Sequence, residues 1–393
     1  MLPTRLALPA EVVEIAERLE RAGFETWCVG GAIRDALLGG SREDVDLATA
    51  ATPEQVQALF PKTIPVGLKF GTVGVLDRKR HLHEVTTFRR DVRTDGRHAV
   101  VEYGASIDED LARRDFTINA IAYHPMRYEW RDPFAGAEDL GRRVVRAVGE
   151  AHARFREDYL RILRAIRFAS RLDFDIDPVT WDAAREEAAG LGRLSAERVR
   201  DEWFRSLETG RSVRRVVDLW REVGAAAGWI PGLRAGYPIA TDDPAPRDPV
   251  LLTIALVTDS AGVLERLKAS SAEIQRGRRI DQALLPPAPG DVCPETVRRW
   301  LSAAEPAADD LATLHRWRTG AAPPWSDTVA QIRSRGDPLT RGDLAVTGDD
   351  LKAIGIPAGP AIGRVLGGLL DWVLEDPARN RRDQLLERAA SLR

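Results

Sequence analysis

A Gly-Gly pair, an arginine and two aspartates lie close together near the N-terminus, in the segment VGGAIRDALLGGSREDVDLAT. Gly30 and Gly31 follow a short apolar run and precede a helical pattern, so backbone N–H groups at this turn can approach a phosphate, and Arg34 can add a forked contact to it. Asp44 and Asp46 are two residues apart, so on a strand both carboxylates point to one face. Paired carboxylates suit Mg²⁺, which takes oxygen ligands together with substrate phosphates. The segment predicts metal-dependent nucleotidyl transfer, with Asp44 and Asp46 as catalytic metal ligands.

Taken singly, a Gly-Gly turn is more often only a tight turn, and an Asp-x-Asp is usually solvated surface. Their order and spacing resemble the signature of the DNA polymerase β nucleotidyltransferase superfamily. The sequence GGAIRD followed by EDVDLAT resembles the motif of the class II tRNA nucleotidyltransferase and poly(A) polymerase branch of that superfamily. This resemblance implies a polymerase β-like head, a divalent metal and an RNA primer.

Two later segments extend the resemblance. Glu84 lies in HLHEVTTFRR, and the resemblance implies that it is a third catalytic carboxylate, whereas the residues alone fit an exposed strand glutamate equally well. The segment LARRDFTINAIAY resembles the family's motif B, which implies that Arg114 contacts the nucleotide phosphate and Asp115 the sugar. On the residues alone, these charges could simply cap an apolar helical run that follows them.

A long helical pattern follows the motif B segment. The run ARFREDYLRILRAIRFASR predicts one continuous helix within 150–171, with an apolar stripe on one face and Asp158, Arg161 and Arg164 on another, and Arg167 drifting round it. A carboxylate can accept from the exocyclic amine of adenine or cytosine, and a guanidinium can donate to the ring nitrogen. The resemblance implies that this segment is the family's motif D, an amino-acid template that admits CTP and ATP. All four residues are therefore predicted to bind the nucleotide.

Length and composition set the frame for these motifs. At 393 residues the chain exceeds the usual single-core size, so two or more domains are expected. Hydrophobic residues make up 44% and charged residues 30%, and no apolar run approaches the roughly 20 residues of a membrane span. Two distant cysteines indicate a reduced, cytoplasmic protein. A net charge of −3 means that any RNA affinity must come from local patches.

The patterns predict an α+β fold with three parts. An N-terminal head with a small mixed sheet occupies 1–136, a helical neck carrying the template helix occupies 137–235, and an all-helical body and tail occupies 236–393 and is expected to bind tRNA. The tail segment LAVTGDDLKAIGIPAGPAIGRVLGGLLDWVLED resembles that of bacterial class II tRNA nucleotidyltransferases. Basic clusters in the body, including Arg298 and Arg299, are candidates for RNA contact.

The resemblance implies addition of CCA to the tRNA 3′ end from CTP and ATP, with no membrane or protein partner. A poly(A) polymerase, or a partial enzyme that adds only CC or only A, shares the head motifs. The segment VGLKFGTVGV is closer to the CCA-type pattern GLKHGTV than to the poly(A) polymerase pattern, although Phe70 replaces the expected His. No visible shortening between Glu84 and Arg113 argues against a CC-only enzyme.

Alternatives from other classes are weaker. A Rossmann-type oxidoreductase needs G-x-G-x-x-G, and Gly30-Gly31 is followed by Ala-Ile-Arg. A non-catalytic RNA-binding relic of the fold is expected to lose the aspartates, which are present. None of the six histidines precedes an aspartate, so no additional His-Asp phosphohydrolase activity is expected.

Overall fold

In the computed structural model, residues 2–40, 45–94 and 99–392 are described. The chain forms two compact units, 1–231 and 232–393. The strands are β1 Thr26–Val29, β2 Asp46–Thr49, β3 Thr63–Gly67, β4 Thr72–Leu76, β5 Leu82–Thr87, β6 Arg89–Thr94, β7 Ala99–Tyr103, β8 Ala122–His124, β9 Glu129–Arg131, β10 Val144–Val145 and β11 Asp175–Ile176.

Helices fill the rest of the first unit. They are α1 Ala10–Arg21, α2 Gly31–Leu37, α3 Pro53–Leu59, α4 Ile107–Ala112, α5 Gly136–Arg142, α6 Ala151–Glu157, α7 Leu160–Leu172, α8 Pro178–Glu186, α9 Ala196–Thr209, α10 Val213–Glu222 and α11 Ala225–Trp229.

The regular elements among the described residues of the second unit are all helices. Its helices are α12 Pro249–Leu256, α13 Ser260–Arg266, α14 Ser271–Gln282, α15 Pro294–Ala304, α16 Ala308–Thr319, α17 Ser326–Arg335, α18 Gly348–Ala353, α19 Pro360–Glu375 and α20 Arg382–Ser391. None of the helices in the described part of the chain is long and apolar enough to cross a membrane.

The main sheet of the described residues has seven strands in the order β3-β4-β5-β2-β1-β8-β9. Only β2 and β5 pair in parallel, and the other neighbours are antiparallel, so the sheet is mixed. The predicted α+β class with a mixed-sheet head is therefore confirmed. One face of the sheet packs on α1 and α3 in a core that includes Val12, Leu19, Leu47, Val56 and Val85.

Two predicted elements are wrong in detail. The apolar run after Asp115 is not a helix: it makes a 3₁₀ turn at Thr117–Asn119 and then enters the sheet as β8 beside β1. The single helix predicted within 150–171 is broken into α6 and α7, with Asp158 between them at φ −156° and ψ 104°. The division of the chain into head, neck and body stays a prediction.

Candidate nucleotidyl transfer site

A cavity of about 590 Å³ opens in the first unit where α2, α7 and α9 approach the end of β2. Its lining combines many arginines with a few aspartates, so its charge is strongly positive, as an anionic ligand requires. The lining residues are Gly30, Gly31, Arg34, Asp46, Arg89, Arg113, Arg114, Asp115, Asn119, Asp158, Leu160, Arg161, Arg164, Phe168, Arg171 and Arg198. Residues from three separate predicted motifs thus meet in one place.

Gly30 lies at the turn between β1 and α2, directly against Asp46 at the start of β2. Its φ of +83° is a left-handed conformation that favours glycine. A Cβ added here would lie 3.0 Å from Asp46 Oδ2 and 3.7 Å from Arg114 Nη1. The position therefore requires glycine for two reasons: its positive φ and the close approach of the Asp46 carboxylate.

The predicted metal ligands are only partly described. Asp46 begins β2 and lines the cavity, whereas Asp44 lies outside the described residues. Leu47 pairs in parallel with Val85, so the same register continued by one residue places Glu84 beside Asp46 on the same face of the sheet. The described residues contain no group of three or more His, Cys, Asp or Glu side chains that could hold a metal ion. Carboxylate oxygens beside a glycine turn nevertheless fit a hard divalent cation that also binds phosphate.

Arg34 is held inside the protein beneath the glycine turn. It is 2% exposed and donates to Asp35 Oδ1 at 2.8 Å and to Asn119 Oδ1 at 2.6 Å. Asp35 also accepts from Arg171 at 2.8 Å, and the Arg34 guanidinium stacks on Phe168. Arg34 therefore lies at the cavity, and most of its donors already serve to fix α2 against α7 and Asn119. Its contact with a phosphate stays a prediction.

Arg114 reaches the same cavity from the end of α4. It donates to the Asn119 backbone oxygen at 3.3 Å and to Asp110 Oδ2 at 3.1 Å. Asp110 is fully buried; burial alone would raise its pKa, but the charges of Arg114 and Arg113 outweigh burial and lower it. The Arg114 Nε atom is buried and has no hydrogen-bond partner in the described structure. An unsatisfied guanidinium N–H in a positive cavity favours an anionic ligand.

Asp115 is the buried anchor of the cavity. Its Oδ1 accepts from the Phe116 N–H at 2.8 Å and from Asn119 Nδ2 at 2.9 Å, and its Oδ2 accepts from Arg164 Nε at 2.8 Å. Burial alone would raise the pKa of Asp115, but the Arg164 charge and these hydrogen bonds outweigh burial and lower it to about 2. Asp115 is therefore ionised at any physiological pH and orients Arg164.

The predicted template pair lies at the break between α6 and α7. Asp158 Oδ1 accepts from the Leu160 N–H at 3.1 Å, and Asp158 Oδ2 pairs with Arg198 of α9 at 2.6 Å. Arg161 does not pair with Asp158 through its side chain; its Nη1 donates to Glu157 at 2.5 Å. Both residues line the cavity. Asp158 is held by Arg198, and Arg161 is held by Glu157.

Two of the described site residues do not line the cavity. Glu84 lines a separate pocket with Leu82 and His83. The other is Arg167. It is 8% exposed, and its Nε pairs with Glu202 of α9 at 2.6 Å while its guanidinium lies 4.3 Å from the Phe168 ring centre. Sequence reasoning missed Asn119, Arg171 and Arg198, which do line the cavity. Asn119 could have been predicted, because it belongs to the motif B segment. Arg198 could not, because it lies on a helix 40 residues after its partner Asp158.

Comparisons with known proteins identify the family of the chain. Residues 26–146 match the family model described as the poly A polymerase head domain, and 173–236 match the one described as a probable RNA and SrmB-binding site of polymerase A. The CCA-adding enzyme of Geobacillus stearothermophilus is 37% identical over 95% of both chains, and that of Leuconostoc citreum is 36% identical over 98% of this chain and 97% of the relative. This chain belongs to the CCA-adding enzyme family.

Solved structures of the family support the same fold. The Bacillus stearothermophilus CCA-adding enzyme in complex with CTP has a TM-score of 0.83 and 35% identity, covering 100% of this chain and 99% of that one. The Thermotoga maritima CCA-adding enzyme complexed with tRNA has a TM-score of 0.66 and 21% identity, over 97% and 94% of the two chains, which shows the fold alone. The predicted family and its tRNA nucleotidyltransferase activity are confirmed, and enzymes of this family generally use a divalent metal.

Proposed function

We propose that the protein adds C, C and A to the 3′ end of tRNA, using CTP and ATP as donors and releasing pyrophosphate. The observation that carries this proposal is the single cavity in which a glycine turn, the Asp46 carboxylate and the Asp158/Arg161 pair meet. A cavity of about 590 Å³ is of the size that small-molecule sites usually have.

Base selection is assigned to Asp158 and Arg161. The Asp158 carboxylate accepts from the exocyclic amine that cytosine and adenine share, and Arg161 donates to the adjacent ring nitrogen. Uracil and guanine carry a carbonyl where that amine would be, so they would leave the carboxylate facing an acceptor. Arg198 and Glu157, which hold the two residues, keep the pair aimed into the cavity.

The triphosphate and sugar are assigned to the other side of the cavity. Gly30 and Gly31 supply backbone N–H groups, and Arg114 and Arg164 supply positive charge, with the buried Nε of Arg114 still without a partner. Asp115 positions Arg164 and is assigned to the ribose, as the resemblance to motif B implies. Arg34 positions α2 beneath the glycine turn and adds its positive charge to this side of the cavity.

Mg²⁺ is the proposed metal, held by Asp44 and Asp46 with Glu84 as a third carboxylate. When bound, two such ions lower the pKa of the primer 3′-hydroxyl and neutralise charge on the triphosphate. The protein groups contribute in-line positioning, because the glycine turn and the arginines fix the triphosphate beside Asp46.

The test is a primer-extension assay. Purified protein and Mg²⁺ are incubated with tRNA transcripts lacking CCA, ending in C or ending in CC, with labelled CTP, ATP or both. Extension by CCA followed by a stop is expected. The Asp46→Ala variant should lose extension, whereas Asp182→Ala, at an exposed position of α8, should keep it.

Other outcomes would reassign the chain. Runs of A without C would make it a poly(A) polymerase, and arrest after CC, or acceptance of only the last A, would make it a partial enzyme. Absence of incorporation on every primer would leave an RNA-binding relic of the fold.

A further inference from the structure

An exposed apolar surface lies beside the catalytic strand and plays no part in the site described above. Among the described residues, twelve large hydrophobic side chains are exposed, and half of them lie between positions 64 and 103. We call this group the apolar shelf; it comprises Ile64, Val66, Leu68, Phe70, Leu82 and Tyr103. Single exposed hydrophobic residues need no explanation, but a group of this kind marks an interaction surface.

Strand register places part of the shelf on the same sheet face as the catalytic carboxylate. Glu84 pairs with Gly74 of β4, and a Cβ on Gly74 would meet the side chains of Leu82 and Val66 at 2.5 and 2.8 Å. These two side chains therefore cover Gly74 on the Glu84 face, which the β2–β5 register continues to Asp46. From Asp46 in the other direction this face meets Val29, which is buried. Along the sheet, this face therefore continues from Asp46 toward the shelf.

Phe70 joins the shelf to the nucleotide cavity. Arg89, which lines the cavity, donates to the Phe70 backbone oxygen, and its guanidinium lies 5.9 Å from the centre of the Phe70 ring. The Tyr103 hydroxyl is 3.5 Å from the Leu68 backbone oxygen, and the Tyr103 ring packs against Gly71 next to Phe70. Phe70 is 45% exposed, so part of the residue is available to a partner.

The chemistry of the shelf suits an unpaired nucleic-acid end. The cavity holds one substrate, the incoming nucleotide, and the second substrate has to bring its terminal hydroxyl to Asp46 from outside the cavity. Unpaired bases stack on exposed aromatic side chains, and nearby arginines neutralise the backbone. We propose, on the basis of the proposed function, that the apolar shelf binds the unpaired 3′ end of the RNA primer, with the terminal base stacked on Phe70.

Kinetics of variants at Phe70 test the assignment. Phe70→Ala should raise KM for a tRNA minihelix ending in CC by roughly 5- to 100-fold, as expected from the loss of one base-stacking contact, while KM for ATP changes less than about twofold. Phe70→Trp should preserve the primer KM. The matched control is Tyr128→Ala, because Tyr128 is 46% exposed and lies between β8 and β9 at the opposite edge of the same sheet. A rise in KM for ATP without a rise in KM for the primer would overturn the proposal.

A binding measurement separates the shelf from catalysis. A minihelix carrying 2-aminopurine as its 3′-terminal base is titrated with protein in the absence of nucleotide. Stacking on Phe70 should quench its fluorescence in the wild-type, Phe70→Trp and Tyr128→Ala proteins, and the quenching should be lost in Phe70→Ala and Phe70→Leu.

The outcomes can be told apart. If the protein extends no primer but the quenching still depends on Phe70, the proposed role of the shelf is supported and the proposed function is refuted. Quenching of equal size in all five proteins would refute the shelf, whatever the activity. Circular dichroism melts of the variants identify any that fails to fold, and because Phe70→Leu keeps an apolar side chain without a ring, it replaces Phe70→Ala if needed.

Discussion

At the scale of single residues, Gly30 is the position with the least freedom at the site, because a Cβ there would lie 3.0 Å from Asp46 Oδ2. We expect Gly30→Ala to displace the Asp46 carboxylate and lower kcat for CMP transfer by a factor of about 100 or more, since small misplacements of reacting groups have effects of this size. Steady-state kinetics with a tRNA lacking CCA measures the change.

Gly39 provides the matched control for that substitution. Its φ of +81° is close to that of Gly30, but a Cβ there would meet nothing within 4 Å. Gly39→Ala also places an alanine at positive φ, at a strain of about 1–2 kcal/mol, without the clash. If both variants lose activity equally, strain alone explains the effect and the role given to the Gly30–Asp46 approach is wrong.

The buried Asp115 carboxylate gives a prediction about acid stability. Its pKa is lowered to about 2 in the folded protein, against about 3.9 for an unfolded chain, so its contribution to stability is complete above pH 4 and is lost as the pH falls toward 2. That contribution is of the order of 2–3 kcal/mol. In Asp115→Asn, Arg164 loses its buried partner, and we expect the free energy of unfolding at pH 7 to fall by roughly 3–5 kcal/mol.

Urea unfolding of both proteins at pH 6 and pH 2.5 provides the measurement. The difference in stability between wild type and Asp115→Asn should be smaller at pH 2.5, because the carboxylate of the unfolded wild-type chain is then protonated and stabilised relative to the folded carboxylate. The exposed substitution Asp182→Asn should leave stability nearly unchanged at both values. A difference that stays constant across the range would contradict the assigned ionisation.

The residues found by sequence reasoning are those whose chemistry is contained in a short motif. Asp46, Arg114 and Asp158 all line one cavity, because each belongs to a segment whose local order fixes where it points. Their roles in binding stay predictions. Arg167 was misplaced because its partner Glu202 lies 35 residues further along the chain. A pairing of that range leaves no mark on local periodicity.

At the scale of elements, the predictions from sequence were wrong where an alternative backbone conformation costs little free energy. Asp158 fits a helical pattern, but aspartate also accepts readily from nearby N–H groups, and here it does so from Leu160 and ends one helix while beginning the next. The apolar residues of β8 are buried on both faces, and a short apolar run does not distinguish a buried strand from a helix.

The break between α6 and α7 predicts a role for Arg198. Because Asp158 sits outside the helix, its carboxylate depends on Arg198 for orientation, through an ion pair of 2.6 Å. We expect Arg198→Met to raise incorporation of UMP relative to CMP by roughly tenfold, since loss of about 1.4 kcal/mol of discrimination has that effect. Single-nucleotide incorporation with UTP and CTP on the same primer measures the ratio.

Arg200 serves as the control on the same helix. It pairs with its neighbour Asp201, which is half-exposed, and it does not line the cavity. Arg200→Met should leave the UMP to CMP ratio at the wild-type value. An Arg198→Met enzyme that is merely slower with both nucleotides, and equally selective, would show that Arg198 does not orient Asp158.

At the scale of the whole molecule, the candidate site and many of the helices belong to different units of the chain. The site lies entirely within 1–231, and the helices of 232–393 form cores of their own around residues such as Leu301 and Leu369. The sequence indicated that the second part is helical but could not sort its basic residues. Arg298 and Arg299 look alike in sequence, yet Arg298 is 5% exposed whereas Arg299 lies at the surface with Glu295 and Glu375.

Arg298 therefore has a structural role that gives the last prediction. Its guanidinium donates to the backbone oxygens of Leu374 and Glu375 at 2.7 Å each, which caps the C-terminal end of α19 and ties it to α15. Arg298→Met leaves those carbonyls and the buried Asp337 without this donor, so we expect local stability around α19 to fall by about 3 kcal/mol.

Hydrogen exchange of the full-length protein measures this effect. Amide exchange in α15 and α19 should accelerate by about 100-fold in Arg298→Met, while the strands of the main sheet and the affinity for CTP stay as in the wild type. Arg299→Met, which removes only surface ion pairs, should change exchange by less than about fivefold. Loss of protection spreading through 1–231 in Arg298→Met would show that the two units unfold together, and the separation of catalytic site and tail into independently stable units would then be wrong.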